Sequence, residues 1–194
     1  MNADQVAALR ELLGPSRWLE RTRSFARALR TSARTPGGLL VVGTPDDEPW
    51  HLAAHLDLES RLADLPGLTP TLVRWSPPPG APPHLSVGLA RLESAGRGET
   101  LFVVSPQAAP VPLLERVHDA RRLGATILAL DQDDPQLDEM AHEVLAVSPD
   151  QAPFSFDAAQ HLVSMAAGEP QRPAGSLRCR LARLLDTVSG APSD

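Results

Sequence analysis

Two histidines and a glutamate recur at four-residue spacing in the stretch WHLAAHLDLESRLADL, which covers residues 50–65. At about 100° per residue, an α-helix places His51, His55 and Glu59 on one side. The leucines of the stretch are expected to cover that same side. The opposite side is expected to carry Asp57, Ser60, Arg61 and Asp64. Two imidazoles one helical turn apart can ligate one metal ion such as Zn²⁺, and a neighbouring carboxylate such as Glu59 can act as a general base.

The position of these three polar side chains among leucines leaves three interpretations open. Buried polar groups need partners, so His51, His55 and Glu59 could satisfy one another and the backbone within the core. They could instead lie in a dimer interface, where each stripe meets its symmetry mate. The third interpretation is a metal site. We expect no bound metal and no cofactor, with zinc as the alternative.

A second candidate site begins where the apolar stretch LFVVS ends at Ser105. A strand that runs into a serine is typical of a strand that leads into a phosphate-binding loop, which uses glycines, hydroxyls and backbone N–H groups. The stretch VVSPQAAP, residues 103–110, instead offers proline, glutamine and alanine. Proline has no N–H to donate. Ser105 and Gln107 could still bind a neutral ligand, and the alternative is a purely structural turn.

The elements that must position these residues alternate regularly along the chain. Short apolar stretches predict strands at 38–43, 69–75, 100–105, 125–130 and 143–147. Helices are predicted within 4–34, broken at Gly14-Pro15, and at 49–65, 84–95, 111–123, from 135, 156–167 and 177–188. Continuous apolar strands alternating with helices indicate a parallel sheet covered on both faces. The fold class is therefore predicted to be α/β, with three α/β/α layers and a five-stranded parallel sheet.

Composition excludes several classes of partner. The net charge of −6 over 194 residues disfavours nonspecific nucleic-acid binding. No apolar stretch approaches the roughly 18 residues of a membrane span, and we expect no signal peptide. The lone Cys179 cannot form an internal disulfide, which suits a cytoplasmic protein. The arginine-rich N-terminal helices leave a protein-interaction module open as an alternative function.

Residues 100–149 carry a series of motifs in the order of a known family. The segments are LFVVS, DARRLGATILAL and DDPQLDEMAHEVLAVSP. They resemble the SIS (sugar isomerase) domain, and the resemblance covers about residues 16–168. It implies the strand order 2-1-3-4-5 and a homodimer. We expect N-terminal helices at 1–35, an SIS-like domain at 36–168, and a C-terminal helix and tail at 169–194, all forming one structural domain.

The resemblance also places the ligand crevice. Ligands of open α/β sheets bind beyond the strand carboxyl ends at the switch point, here between strands 1 and 3. The loops 43–48, with Thr44 and Asp46, and 105–110, with Ser105 and Gln107, should therefore line it. Phosphosugar-binding members carry S-x-S-G-x-T/S after strand 3, but this chain has Gln, Ala and Pro where that motif has its second serine, glycine and final hydroxyl. The acidic sequence DDE, residues 46–48, replaces a Gly/Ser-rich turn, so ordinary phosphosugar binding is predicted to be lost.

A more distant resemblance links the chain to phosphoheptose isomerases, which are SIS enzymes. Their corresponding helix carries a His-x3-Glu pair, which His55 and Glu59 match when two residues are inserted. Those enzymes add a Gln and a His from a late helix. Gln160 is the candidate for the Gln and the neighbouring His161 is an alternative ligand, whereas the late His of that pattern has no clear counterpart here. With His51 added from the helical spacing, the candidate metal ligands are His51, His55, Glu59, Gln160 and His161, and Glu59 would be the catalytic base.

We therefore expect a divergent SIS-like protein that acts as a ligand-binding or regulatory homodimer with a degenerate phosphosugar site. Its small-molecule partner would be a carbohydrate derivative, with no nucleic acid and no membrane involved. A metal-assisted phosphosugar isomerase is the alternative enzyme, and a protein-interaction module is the alternative from a third class.

Overall fold

A computed structural model describes residues 17–148, 152 and 154–169. The predicted helix at 177–188, the first N-terminal helix and Cys179 lie outside the described residues. The α-helices of the described part are α1 (Arg17–Ser32), α2 (Trp50–Leu62), α3 (Val111–Arg122), α4 (Pro135–Met140) and α5 (Phe156–Gly168). The strands are β1 (Leu39–Val42), β2 (Pro70–Val73), β3 (Thr100–Ser105), β4 (Thr126–Asp131) and β5 (Glu143–Ala146).

The five strands form one parallel sheet in the order β2-β1-β3-β4-β5. Leu39 of β1 is in register with Pro70 of β2 on one side and with Thr100 of β3 on the other. Both the α/β class and the predicted strand order 2-1-3-4-5 are confirmed. Since β1 lies between β2 and β3, the direction of chain winding reverses there, and the switch point lies between β1 and β3 as expected.

The strand sequences explain why both faces of the sheet are covered. Every residue of β1 (LLVV) and of β3 (TLFVVS) is buried. Side chains alternate between faces along a strand, so Leu39 and Val41 join one apolar cluster while Leu40 and Val42 join the other. The first cluster packs against α1, α2 and α5, and the second against α3 and α4. Helices on both faces of the sheet make the three predicted layers.

Helix α1 is fixed to the sheet by apolar side chains and to α5 by one arginine. Phe25, Ala26 and Leu29 are buried on one side of α1. The Arg30 guanidinium donates hydrogen bonds to the carbonyl oxygens of Ala166, Ala167 and Glu169 at 2.9, 3.2 and 2.6 Å. These carbonyls belong to the C-terminal end of α5, where the helix dipole favours a positive charge.

The predicted helix at 84–95 is wrong. Two separate 3₁₀ segments, Pro83–Leu85 and Leu89–Ser94, occupy this stretch. Between them the carbonyl oxygen of Val87 accepts the backbone N–H of Arg74 at 2.8 Å, and Gly88 forms a parallel bridge with Arg74. This pairing with the chain just after β2 holds the backbone extended, which an α-helix cannot provide.

The predicted buried face of α2 is wrong in part: Leu52, Leu56 and Glu59 are buried as predicted, but the other members are not. Leu58 and Leu62 are 48% and 68% exposed, and His51 is exposed. The buried residues of α2 are Leu52, Ala53, Leu56, Glu59 and Ser60. Burial of Ser60, predicted on the polar side, is tolerated because its hydroxyl lies 2.8 Å from the carbonyl oxygen of Asp57 and 3.1 Å from the Thr69 hydroxyl.

None of the helices in the described part is long and apolar enough to cross a membrane.

Candidate functional site

The loop after β3 satisfies its own polar groups. Ser105 is fully buried, and its hydroxyl donates to the carbonyl oxygen of Gln107 at 2.6 Å. This contact ties the serine side chain to the loop backbone two residues further on. The Gln107 side chain is exposed. Ser105 therefore shapes the turn, and Gln107 faces the solvent beside the switch point.

A backbone donor near the end of this loop binds an internal carboxylate. The N–H of Ala109 donates to Oδ2 of Asp134 at 2.7 Å. The other oxygen of Asp134 accepts the backbone N–H groups of Gln136 and Leu137 at 3.0 and 3.3 Å, which caps the start of α4. Asp134 is 7% exposed. An anion of the protein itself thus holds the donor that a phosphate-binding loop would offer to its ligand.

The end of β4 adds further carboxyl groups beside this loop. Asp131 is in register with Ser105 and is fully buried. Its Oδ1 accepts the backbone N–H of Asp133 at 3.0 Å. Burial raises the pKa of Asp131 to about 7, and the neighbouring Asp138 carboxyl contributes in the same direction. The Ser148 hydroxyl donates to Asp133. This rim of the switch point is therefore acidic.

The loop after β1 is closed by a glutamate. Glu48 accepts Nε of Arg74 at 2.9 Å, the backbone N–H of Trp75 at 3.0 Å and Nε1 of Trp50 at 3.1 Å. The Arg74 guanidinium lies 4.3 Å from the centre of the Trp50 ring. Gly43 permits the tight return of the chain, because a Cβ there would lie 2.6 Å from Cδ of Pro49.

The two predicted ligand-binding residues of this loop lie in different environments. Thr44 is 3% exposed, and its hydroxyl has no hydrogen-bond partner among the described residues. Asp46 is exposed. The structure therefore brings Thr44 and Ser105 to neighbouring strand ends, while Asp46 and Gln107 remain at the surface.

A cleft of about 230 Å³ lies beside this loop, between the first turns of α2 and α5. Its polar lining consists of Asp47, Glu48, Trp50, His51, His55, Asp157, Gln160 and His161. The His55 and His161 rings meet edge to face with their centres 4.4 Å apart. The Gln160 amide donates to Asp157 at 3.4 Å. Helix α2 and helix α5 thus bring four of the five predicted metal ligands to one place: His51, His55, Gln160 and His161.

Burial and nearby charges shift the pKa values of two groups in the cleft. Burial lowers the pKa of His161, the nearby His55 and His51 lower it further, and Asp157 opposes them. Burial and the Asp157 carboxylate raise the pKa of Asp47. At neutral pH His161 is therefore an uncharged imidazole, able to donate and accept one hydrogen bond each.

Glu59, the predicted base and fifth ligand, does not line this cleft. It is 7% exposed and packs against Gly168 at the end of α5. A Cβ at position 168 would lie 2.7 Å from Cδ and 2.8 Å from Cβ of Glu59. Within residues 17–148 and 154–169, no group of three or more His, Cys, Asp or Glu side chains is arranged to hold a metal ion.

Sequence reasoning missed Asp157, Trp50 and Arg74. The signal for Asp157 was present, since residues 157, 160 and 161 share one helical face three and four positions apart. Trp50 and Arg74 carry no such signal. They meet only because β2 lies beside β1 and both strands end at the same edge of the sheet.

Comparison with known proteins identifies the fold. No protein-family model matches the sequence, and no curated protein matches it. Among solved structures, a "putative sugar binding protein" from Salmonella typhimurium LT2 is similar, with 18% identity and a TM-score of 0.57 over 95% of this chain. A "putative phosphosugar isomerase" from Silicibacter pomeroyi DSS-3 is similar with 16% identity and a TM-score of 0.58 over 96% of this chain.

The chain spans about half the length of these two proteins, since 53% of each is covered. At such identities the likeness concerns the fold alone. The chain therefore shares the α/β fold of these two proteins along most of its length.

Proposed function

We propose that this chain binds an unphosphorylated carbohydrate derivative in the cleft between α2 and α5, and that the phosphosugar site of the fold is degenerate. The observation that carries this proposal is the hydrogen bond from the Ala109 N–H to Asp134. It supports a binding or regulatory role over a catalytic role on sugar phosphates.

A phosphate at the β3 loop would meet two obstacles. It would have to displace the Asp134 carboxylate from Ala109, and that carboxylate also caps α4. Pro110 supplies no second N–H. The displaced charge and the ligand would then lie together beside Asp131 and Asp133. Like charges held close together repel one another, so the loop disfavours binding of a phosphate dianion.

The cleft offers the groups that a sugar ring needs. Asp157 and Asp47 accept hydrogen bonds from hydroxyl groups, and Gln160 and neutral His161 can both donate and accept. Trp50 is 38% exposed and supplies an aromatic surface at the rim. Polar groups that converge beside an aromatic side chain can fix the orientation of a small ligand. The carboxylates make the cleft suitable for a neutral or cationic ligand, such as a sugar or an amino sugar.

The metal-assisted isomerase receives less support from the same geometry. Its base, Glu59, is packed against Gly168 instead of facing His55 and His161. A general base must lie within hydrogen-bond reach of the proton that it takes.

The protein-interaction alternative is weakened at one point, because Arg30 of α1 is engaged with the end of α5. The homodimer and the cytoplasmic location stay predictions.

Calorimetric titration tests the proposal with a panel of neutral monosaccharides and amino sugars. We expect saturable binding of at least one of them, weakened at least tenfold by Asp157→Asn and by His161→Ala. His118→Ala is the matched control, since His118 is exposed on α3 across the sheet. Binding that His118→Ala reduces as strongly as His161→Ala, or no binding by any member of the panel, would contradict the proposal.

A further inference from the structure

Helix α2 presents a line of apolar side chains to the solvent. Leu58 and Leu62 are 48% and 68% exposed, and Ala54, one turn earlier, is exposed as well. Residues four apart are neighbours on a helix surface, so Ala54, Leu58 and Leu62 form one continuous strip, here termed the α2 stripe. A continuous apolar surface of this kind marks a place where another element packs.

The described chain ends beside this stripe. Helices α2 and α5 pack together in the same direction, with His55 beside His161 and Glu59 beside Gly168. Gly168 is the last residue of α5. Leu58 and Leu62 lie within one turn of Glu59 along α2. The described part of the chain therefore ends, at Glu169, close to the α2 stripe.

The sequence that follows has a matching apolar pattern. Leu177, Leu181, Leu184 and Val188 are spaced by four, three and four residues, which places them on one face of a helix. Ser176 stands at the preferred capping position before them. The seven residues 170–176 can span about 23 Å when extended, while the 13 residues of α2 are about 20 Å long. The connection can therefore reach any part of the stripe.

The charges of the two surfaces are complementary. Residues 176–188 carry three arginines against one aspartate. On the side of α2, Glu59 is buried and Asp57 pairs with Arg61, so Asp64 is the acidic side chain that an incoming arginine would meet. Asp64, just beyond α2, is exposed. Opposite charges at the rim of an apolar contact favour one pairing over others. We propose that residues 177–188 form an amphipathic helix that docks on the α2 stripe of the same chain.

Disulfide trapping in the full chain tests this docking. Cys179→Ser removes the only native thiol, and Leu62→Cys is then combined in turn with Leu177→Cys, Leu181→Cys and Leu184→Cys. We expect at least one pair to oxidise within the monomer, seen as a faster band on a non-reducing gel with unchanged mass. The matched control pairs the same three substitutions with Leu123→Cys, because Leu123 is another exposed leucine, at the end of α3.

The docking proposal is overturned by three results: disulfide-linked dimers only, which would assign the stripe to a second copy; no disulfide in any combination; or equal trapping with Leu123→Cys. Hydrogen exchange provides a second measurement that needs no cysteine. Leu62→Asp should speed amide exchange across residues 177–188 at least tenfold, whereas Val111→Asp, at another exposed apolar position, should not. Unchanged exchange in Leu62→Asp would also overturn the docking.

Discussion

Asp131 links the stability of the fold to pH, and Asp131→Asn tests that link. The carboxyl is fully buried at the end of β4. Burial and the nearby Asp138 raise its pKa to about 7 from an ordinary value of 3.8. Asp131 Oδ2 and Asp138 Oδ1 are both buried without another hydrogen-bond partner among the described residues. A proton on Asp131 can therefore be donated to the Asp138 carboxylate, which favours the protonated state.

The sign of the effect follows from proton binding. Between pH 3.8 and about 7 the folded protein holds a proton on Asp131 that the unfolded chain has released. As pH rises through that interval, Asp131 therefore lowers the free energy of unfolding by an increasing amount. The decrease is complete above that interval. The full shift in the pKa of Asp131 corresponds to about 4 kcal/mol in the free energy of unfolding. Since charged side chains in proteins relax and regain some solvent, we take about 2 kcal/mol as the expected effect.

Asn at position 131 has nearly the same shape and is neutral at every pH. Its oxygen can accept the Asp133 N–H, and its amide can donate to Asp138. We expect Asp131→Asn to be more stable than the wild-type protein by about 1–2 kcal/mol at pH 8, with a difference that shrinks towards pH 5. Urea unfolding followed by tryptophan fluorescence at pH 5, 6, 7 and 8 measures the difference at each pH.

The matched control is Asp46→Asn, which removes an exposed carboxylate from the loop after β1. It should leave the pH profile of the wild-type protein unchanged. The reasoning is refuted if Asp131→Asn is less stable than the wild-type protein at pH 8, or if the difference between the two proteins is the same at pH 5 and pH 8.

Three other substitutions test contacts of α5. Gly168→Ala should lower the free energy of unfolding by about 1–3 kcal/mol, because its Cβ would collide with Glu59; chemical denaturation measures this, and a neutral result would show that the two helices separate easily. Arg30→Gln should cost about 1–3 kcal/mol, since three carbonyls at the end of α5 lose a charged donor; a loss no larger than that of Arg34→Gln, at an exposed position, would contradict the capping role. His161→Gln should reduce the loss of stability on acidification below pH 6.5, because a histidine with a lowered pKa resists protonation in the folded state. Thermal melts at pH 5 and pH 7 measure this loss, and the same loss in His161→Gln as in the wild-type protein would contradict the prediction.

The sheet could be predicted from the sequence because its strands are unambiguous. LLVV and TLFVVS are too apolar for a one-sided sheet, and their alternation with helices leaves a parallel arrangement. The order of the strands required the family resemblance, because alternation alone does not determine which strand lies beside which. Thr44 and Ser105 were expected at the ends of β1 and β3, and these two strands are adjacent in the sheet.

The contacts that decide the chemistry could not be predicted in this way. The five leucines of residues 50–65 predicted which face of α2 is buried. In the fold α2 packs against α5 and Ser60 contacts the Thr69 hydroxyl, so the buried face includes Ser60. Nothing near Asp134 in the sequence indicates that it binds Ala109, which is 25 residues away. Glu59 packs against Gly168 at the end of α5 and does not line the cleft that contains His55. Each of these outcomes depends on elements distant in sequence that meet only in the folded chain.

Titration of sugar phosphates tests the degenerate phosphosugar site most directly. Hexose and heptose phosphates would be titrated into the protein by calorimetry at low salt, where electrostatic attraction is least screened. Because Asp134 holds the Ala109 donor, we expect no saturable heat up to millimolar ligand. Micromolar binding of any of these phosphates, lost on Ser105→Ala or on adding inorganic phosphate, would show that the loop after β3 is a working phosphate site and would contradict the account.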